Sequence, residues 1–369
     1  MRNWFRPAVV SMEGYAPGEW PALDAGILKL NSNENPYPPS PKVMTALREI
    51  SGGIGGETGN NTGAELLRRY PDPLASDFRQ RVSKTFGIPA DWIIAGNGSD
   101  DLLTLLVRAC SEGSTRSLAY PMPTYVLYRT LAAIQPATVV EVSYQQKGTD
   151  WLLPVEQLLE ANAAVTLIAT PNSPSGHVVA QSDLRRLAAG LSGVLLIDEA
   201  YVDFVGKGAD RMHLDLVREF DNVMLLRTLS KGYGLAGLRL GFGIAQPGLL
   251  VGLLKVKDSY NVDAIALKLG EAAIADQAYK TETVQKVIAA RKQLAIELQS
   301  LGFLVWPSST NFLLVKPPTT VAQSLQVALK AEGIMIRYFN QPGLDDKLRI
   351  TVGTPAQNAH MVQAISRLL

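Results

Sequence analysis

Between positions 92 and 228 the sequence repeats one rhythm: a short apolar run, a polar or glycine-bearing break, then an amphipathic stretch. The segments 92–95, 117–120, 138–142, 165–170, 194–197 and 223–226 read as strands. They are short and largely without alternation, which suits strands covered on both faces. Helices read at 100–109, up to Ile134, at 154–161 and at 181–190. Strand–helix–strand connections of this length require parallel strands with the helices packed over the sheet. The expected class is α/β: a large domain with a mainly parallel seven-stranded sheet flanked by helices. In such sheets ligands bind beyond the carboxyl ends of the strands. In this chain polar and aromatic groups follow those ends repeatedly: Asn97 to Asp100, Tyr125, Asn172, Asp198, Tyr201, Ser230 and Lys231.

The flanks differ. Residues 1–40 are proline-rich, and the prolines within 36–41 forbid helix and favour an extended arm. A helix is expected from Pro41, and another from Leu74 to Phe86 with Gly87 as its stop. The glycine-rich run 51–63 is expected to be mobile. Helices dominate 249–300, and short strands alternate with helices after that, as in a smaller α+β domain. The expected division is an N-terminal arm, 1–40, belonging to the small domain; a large domain, 41–260; and the small domain proper, 261–369, with a long connecting helix. A length of 369 residues fits two domains.

A net charge of +1 argues against a nucleic-acid or anionic-membrane partner. No apolar run reaches membrane-spanning length, and the N-terminus lacks a signal-peptide core. Cys110 is the single cysteine, so a reducing, cytoplasmic setting is expected. His177, His213 and His360 have no metal-ligand spacing, and no metal is expected.

The chemistry concentrates in LLRTLSKGYGLAGLRLGFGIA, residues 225–245. A lysine among glycines and apolar residues is half-desolvated, which lowers its pKa toward a nucleophilic amine fit for Schiff-base chemistry. A pyridoxal phosphate site needs such a lysine. It also needs a carboxylate at the ring nitrogen, donors at the phenolate oxygen, a stacking ring, and a phosphate cradle. Lys231 would supply the amine, Asp198 the carboxylate, Asn172 and Tyr201 the phenolate contacts, and Tyr125 the stacking ring. Ser99 and Asp100 at a helix N-terminus, with Ser230 and Arg239, would take the phosphate.

The motifs GNGSD, PTY, TPNSPSG, IDEAY and RTLSKGYGLAGLRLGF resemble those of the fold type I, class I/II aminotransferases over most of the chain. YAPG, LNSNENPYPPSP, YPDP, SYNV and LRITVGT are similar to the branch that acts on histidinol phosphate. The resemblance implies a pyridoxal 5'-phosphate enzyme of histidine biosynthesis. It would exchange an amino group between histidinol phosphate and 2-oxoglutarate, giving imidazole acetol phosphate and glutamate. It implies a homodimer with shared active sites, Tyr70 reaching the neighbour's cofactor phosphate. Arg349 would bind the donor's carboxylate. Arg337, Tyr15 and Tyr260 would hold the substrate phosphate, and Asn33 would line the entrance. An aromatic amino-acid aminotransferase and a related phospho-amino-acid decarboxylase share these motifs and stay open. Ser173 and Ser175 depart from the commoner asparagine and threonine.

Overall fold

A computed structural model describes residues 4–12, 26–52 and 62–369. Tyr15 and most of the glycine-rich run 51–63 lie outside the described residues. The large sheet has seven strands: β1 (Ile93–Gly96), β2 (Gly113–Met122), β3 (Ala137–Ser143), β4 (Val165–Ala169), β5 (Val194–Asp198), β6 (Val223–Thr228) and β7 (Gly241–Ala245). Their spatial order is β1-β7-β6-β5-β4-β2-β3, and all neighbouring pairs are parallel except those that β7 makes.

The central strands are apolar throughout because both faces are covered. Val223 and Leu225 enter one core with Leu195 and Ile197, while Met224 and Leu226 enter the opposite one with Leu196 and Leu167. The period of two thus feeds two helical layers. The register sets Ala169 beside Asp198, and Asp198 beside Leu226. Across β7, Gly241 lies between Gly96 and Thr228. The carboxyl ends of β1, β4, β5 and β6 therefore finish at neighbouring levels.

A second sheet holds β8 (Leu304–Val305), β9 (Phe312–Lys316), β10 (Arg337–Tyr338) and β11 (Leu348–Thr351), in the order β8-β9-β11-β10. The long helix Gln277–Ser300 and the helix Pro355–Leu368 pack on it through Val287, Leu294, Leu298, Met361 and Ile365. Residues 334–338 do not form one continuous strand. The break falls at Ile336: Ile334–Met335 pairs with Leu28–Lys29, and Arg337–Tyr338 turns to β11. The helix expected from Leu74 starts at Ser76 instead. Asp72 accepts the N–H groups of Leu74 and Ser76, and Ala75 is left-handed at φ 52°, so the first turn cannot begin earlier.

Candidate active site

A cleft of about 910 Å³ opens beyond the strand ends and is walled by both sheets. Lys231 follows β6 and stands at its floor. Its Nζ donates to the Ser32 carbonyl at 3.3 Å and lies 5.9 Å from the centre of the Tyr201 ring. No salt bridge to a carboxylate is formed by Lys231 among the described residues, and burial, helped by the nearby Arg349 charge, pushes the ammonium down to about 8. Its backbone is fixed as well, since Asn35 Nδ2 donates to the carbonyls of Lys231 and Gly232.

Asp198 ends β5 and is 6% exposed. Burial raises its carboxyl to about 6, against the donations of the Tyr128 hydroxyl to Oδ2 (2.9 Å) and the Ala200 N–H to Oδ1 (3.1 Å). Behind it Glu199 is buried with Arg227 and His213, each 2.7 Å away, and Arg227 keeps that carboxylate ionised despite its burial. This buried group faces away from the cleft, and His213 belongs to it.

The helix Ser99–Cys110 begins directly after β1, its N-terminus turned by Gly98 at φ 80°. Asp101 accepts from the Asn97 N–H and from Asn261, which holds the turn. A Cβ on Gly241 would lie 2.7 Å from the Ser99 nitrogen, and one on Gly98 would lie 2.6 Å from Arg239 Nη2. Only glycines let the helix N-terminus, β7 and Arg239 converge so closely. Ser230 meets the Thr228 hydroxyl at 2.9 Å on the same side, and Arg239 pairs with Asp100 at 3.5 Å. The result is an anion cradle of backbone donors, hydroxyls and a guanidinium. Tyr125 lines the wall beside it, edge-on to Tyr128.

On the opposite wall the arm carries Asn33, left-handed at φ 57° and almost fully buried. Its amide donates to the Tyr201 hydroxyl at 2.8 Å, and Thr351 and Asn311 hold its other groups. Arg349 on β11 donates to Ser173 Oγ and to the Asn31 carbonyl, each at 3.0 Å, and stacks on Phe312 and Phe339. Arg337 lies opposite it on β10 and also lines the cleft.

Three expected residues are not brought into the cleft. Asn172 lies behind the wall: its Nδ2 donates to the Pro123 carbonyl and to Ser175, and its Oδ1 accepts from Thr124. Ser173, next to it, lines the cleft instead and touches Tyr201. Tyr70 and Tyr260 stack on each other at 4.4 Å outside the cleft, and Tyr70 is 80% exposed. Sequence reasoning gave no site role to Ser173, Thr124 or Tyr128. Of these, Tyr128 left a trace, falling three residues after Tyr125, a spacing that brings side chains together where the chain turns into a helix. His177 packs against Tyr144 and bonds Ser175, and burial takes it down to about 4.

The donor set fits pyridoxal 5'-phosphate: a depressed lysine, a buried carboxylate, and a glycine-built anion cradle share one cleft. A profile of the family described as "Aminotransferase class I and II" matches residues 25–365. Histidinol-phosphate aminotransferase 1 of Trichormus variabilis is 56% identical over 369 residues, all of both chains. The histidinol-phosphate aminotransferase of a Geobacter species is 40% identical over 98% of each. The crystal structure of histidinol-phosphate aminotransferase from Sinorhizobium meliloti with pyridoxal-5'-phosphate superposes with a TM-score of 0.85. It is 24% identical and covers 100% of this chain and 99% of that one.

Proposed function

This chain belongs to the class I and II aminotransferases, and we propose that it transfers an amino group between histidinol phosphate and 2-oxoglutarate with pyridoxal 5'-phosphate as cofactor. The observation that carries this reading is the placement of Lys231 and Asp198 on one cleft floor, the lysine depressed to about 8. When bound, the cofactor supplies an aldehyde for the amine and a ring that accepts the electron pair left on the substrate carbon.

Lys231 holds the cofactor between turnovers. With the cofactor in place, its neutral Nζ would take the proton from the reacting carbon and deliver it to the cofactor carbon on the far side of the transferred nitrogen. Asp198 faces the ring nitrogen and keeps a proton there. The Tyr201 hydroxyl, oriented by Asn33, meets the phenolate oxygen with Ser173 beside it. The Ser99 turn, Ser230 and Arg239 take the phosphate. Arg349 binds the carboxylate of glutamate or 2-oxoglutarate, since a planar guanidinium fits it with two bonds. Arg337 and Tyr15 hold the phosphate of histidinol phosphate. Tyr70 and Tyr260, turned outward from this cleft, complete the site of a second copy in a homodimer.

Titration of the protein, loaded with cofactor, by histidinol phosphate tests the reading. Bleaching of the visible absorption band at substoichiometric to micromolar amine supports it. Bleaching by phenylalanine or tyrosine alone moves the substrate to aromatic amino acids, and release of carbon dioxide makes the chain a decarboxylase. Mixing Lys231→Ala with Tyr70→Phe subunits tests the shared site: a gain in activity over either parent is expected, and no gain removes the second-copy role of Tyr70.

A further inference from the structure

Tyr128 is fully buried, the second residue of the helix Leu127–Ile134, and it belongs to neither wall of the cleft. Its ring is edge-on to Tyr125 at 5.8 Å between centroids, and its hydroxyl donates to Asp198 Oδ2 at 2.9 Å. The Tyr128 N–H also caps the turn by donating to the Tyr125 carbonyl. One side chain thus braces both the aromatic wall and the carboxylate at the floor. We propose that Tyr128 is a positioning residue that acts through Asp198: its hydroxyl fixes the plane of that carboxylate and keeps it ionised, ready for a protonated ring nitrogen. The inference rests on the pyridoxal phosphate reading of the cleft.

The charges around Asp198 make the donor necessary. Burial drives the carboxyl upward, and Asp100 on the helix Ser99–Cys110 and neighbouring Glu199 push the same way. The leading influences that favour the charged form are two neutral donors, the Tyr128 hydroxyl and the Ala200 N–H. The titratable groups facing Tyr128 itself are Asp198, Tyr125, Tyr144 and, from β2, Tyr120, none of them cationic. A hydrogen bond to a charged group changes an ionisation constant by about tenfold or more.

The test uses the full chain and Tyr128→Phe, which keeps the ring, its contact with Tyr125 and the volume of the core. Pyridoxal phosphate binding by the cofactor-free chain is measured from pH 5 to 8.5, beside thermal unfolding over the same range. In the native chain the rise of affinity with pH contains the ionisation of Asp198 near 6. In Tyr128→Phe that inflection moves up by about one pH unit. The loss of thermal stability grows toward high pH, where the charged carboxylate has lost a donor. In an Asp198→Asn background, which carries no charge to stabilise, the pH-dependent part of the Tyr128→Phe effect disappears. An unmoved inflection with a pH-independent stability loss makes Tyr128 a core residue only and overturns the proposal. If neither protein binds the cofactor at any pH, the reading of the cleft itself fails, and the unfolding arm still decides the Tyr128–Asp198 link.

Discussion

Two lysines of this protein, Lys280 buried and Lys231 half-buried at the cleft floor, sit in opposite settings. Lys280, on the long helix, bonds Asp203 at 2.9 Å and Asp210 at 3.2 Å, and lies over the Tyr233 ring. Burial alone would lower its pKa, but the two carboxylates overcome it and raise the group well above its ordinary value. Lys231 has a carbonyl and an aromatic face for company, and burial wins. Burial is common to both; the presence of a counter-charge decides whether the amine is a permanent cation or a base near neutrality. The two are also mechanically linked, because a Cβ at Gly232 would fall 2.2 Å from Asp203 Oδ2. The carboxylate that anchors Lys280 therefore abuts the backbone that carries Lys231.

The sharpest way to break the comparison is to remove each amine. Lys231→Ala should lower turnover by at least about a thousandfold while unfolding at nearly the native temperature, since no ion pair is lost. Steady-state rates with paired thermal melts check this, and near-native turnover would falsify the assignment of the base. Lys280→Met should do the reverse. It strands two carboxylates and should cost about 3–5 kcal/mol in denaturant unfolding, with little change in rate per folded molecule. A loss below about 1 kcal/mol would mean the pair is not holding the helix to the large sheet.

The pH response sharpens the contrast. Lys231 is depressed from 10.5 to about 8, so its burial penalises the folded cofactor-free chain below that value and the penalty lifts as pH rises from about 8 to 10.5. Lys280 is raised, so its contribution is full below 10.5 and is lost only as pH climbs through its higher folded value. Amine labelling between pH 6 and 10 followed by peptide mapping should show Lys231 reacting with a midpoint near 8 and Lys280 protected throughout. Equal labelling curves would abolish the distinction. The smallest effect is expected from Asn35→Ala, which releases the carbonyls of Lys231 and Gly232. Turnover should fall roughly threefold to tenfold and stability by about 1 kcal/mol. A loss confined to stability would show that the amide clamps the loop without aiming the amine.

Much of this arrangement is legible in the chain itself. The apolar runs that become β4, β5 and β6 are continuous because helices cover both faces, and the polar groups after them mark the ligand-binding edge. The antiparallel β7 followed from no local signal, since Gly241–Ala245 is as apolar as its parallel neighbours. The hairpin of Gln145–Lys147 and Asp150–Leu152 was likewise invisible, being short and mostly polar. At the site, sequence identified the lysine and carboxylate by type and context. It assigned the phenolate contact to Asn172 and gave Ser173 no role, because adjacent residues after a strand point to different sides and only the packed loop fixes which side is the cleft. Thr124 and Pro123 take up the Asn172 amide, and that leaves the serine facing Tyr201.

By itself the sequence determined the α/β class, the strand ends that carry the chemistry, and the glycines that allow a helix N-terminus, β7 and Arg239 to meet. These follow from local pattern, where side-chain period and backbone freedom are set within a few residues. Only the tertiary structure decided which of these two lysines is left without a counter-charge. It also decided that Tyr128 stands behind Asp198, 70 positions away in the chain. A desolvated group is defined by what surrounds it in space, and for Lys231 and Asp198 those surroundings come from segments that only folding brings together.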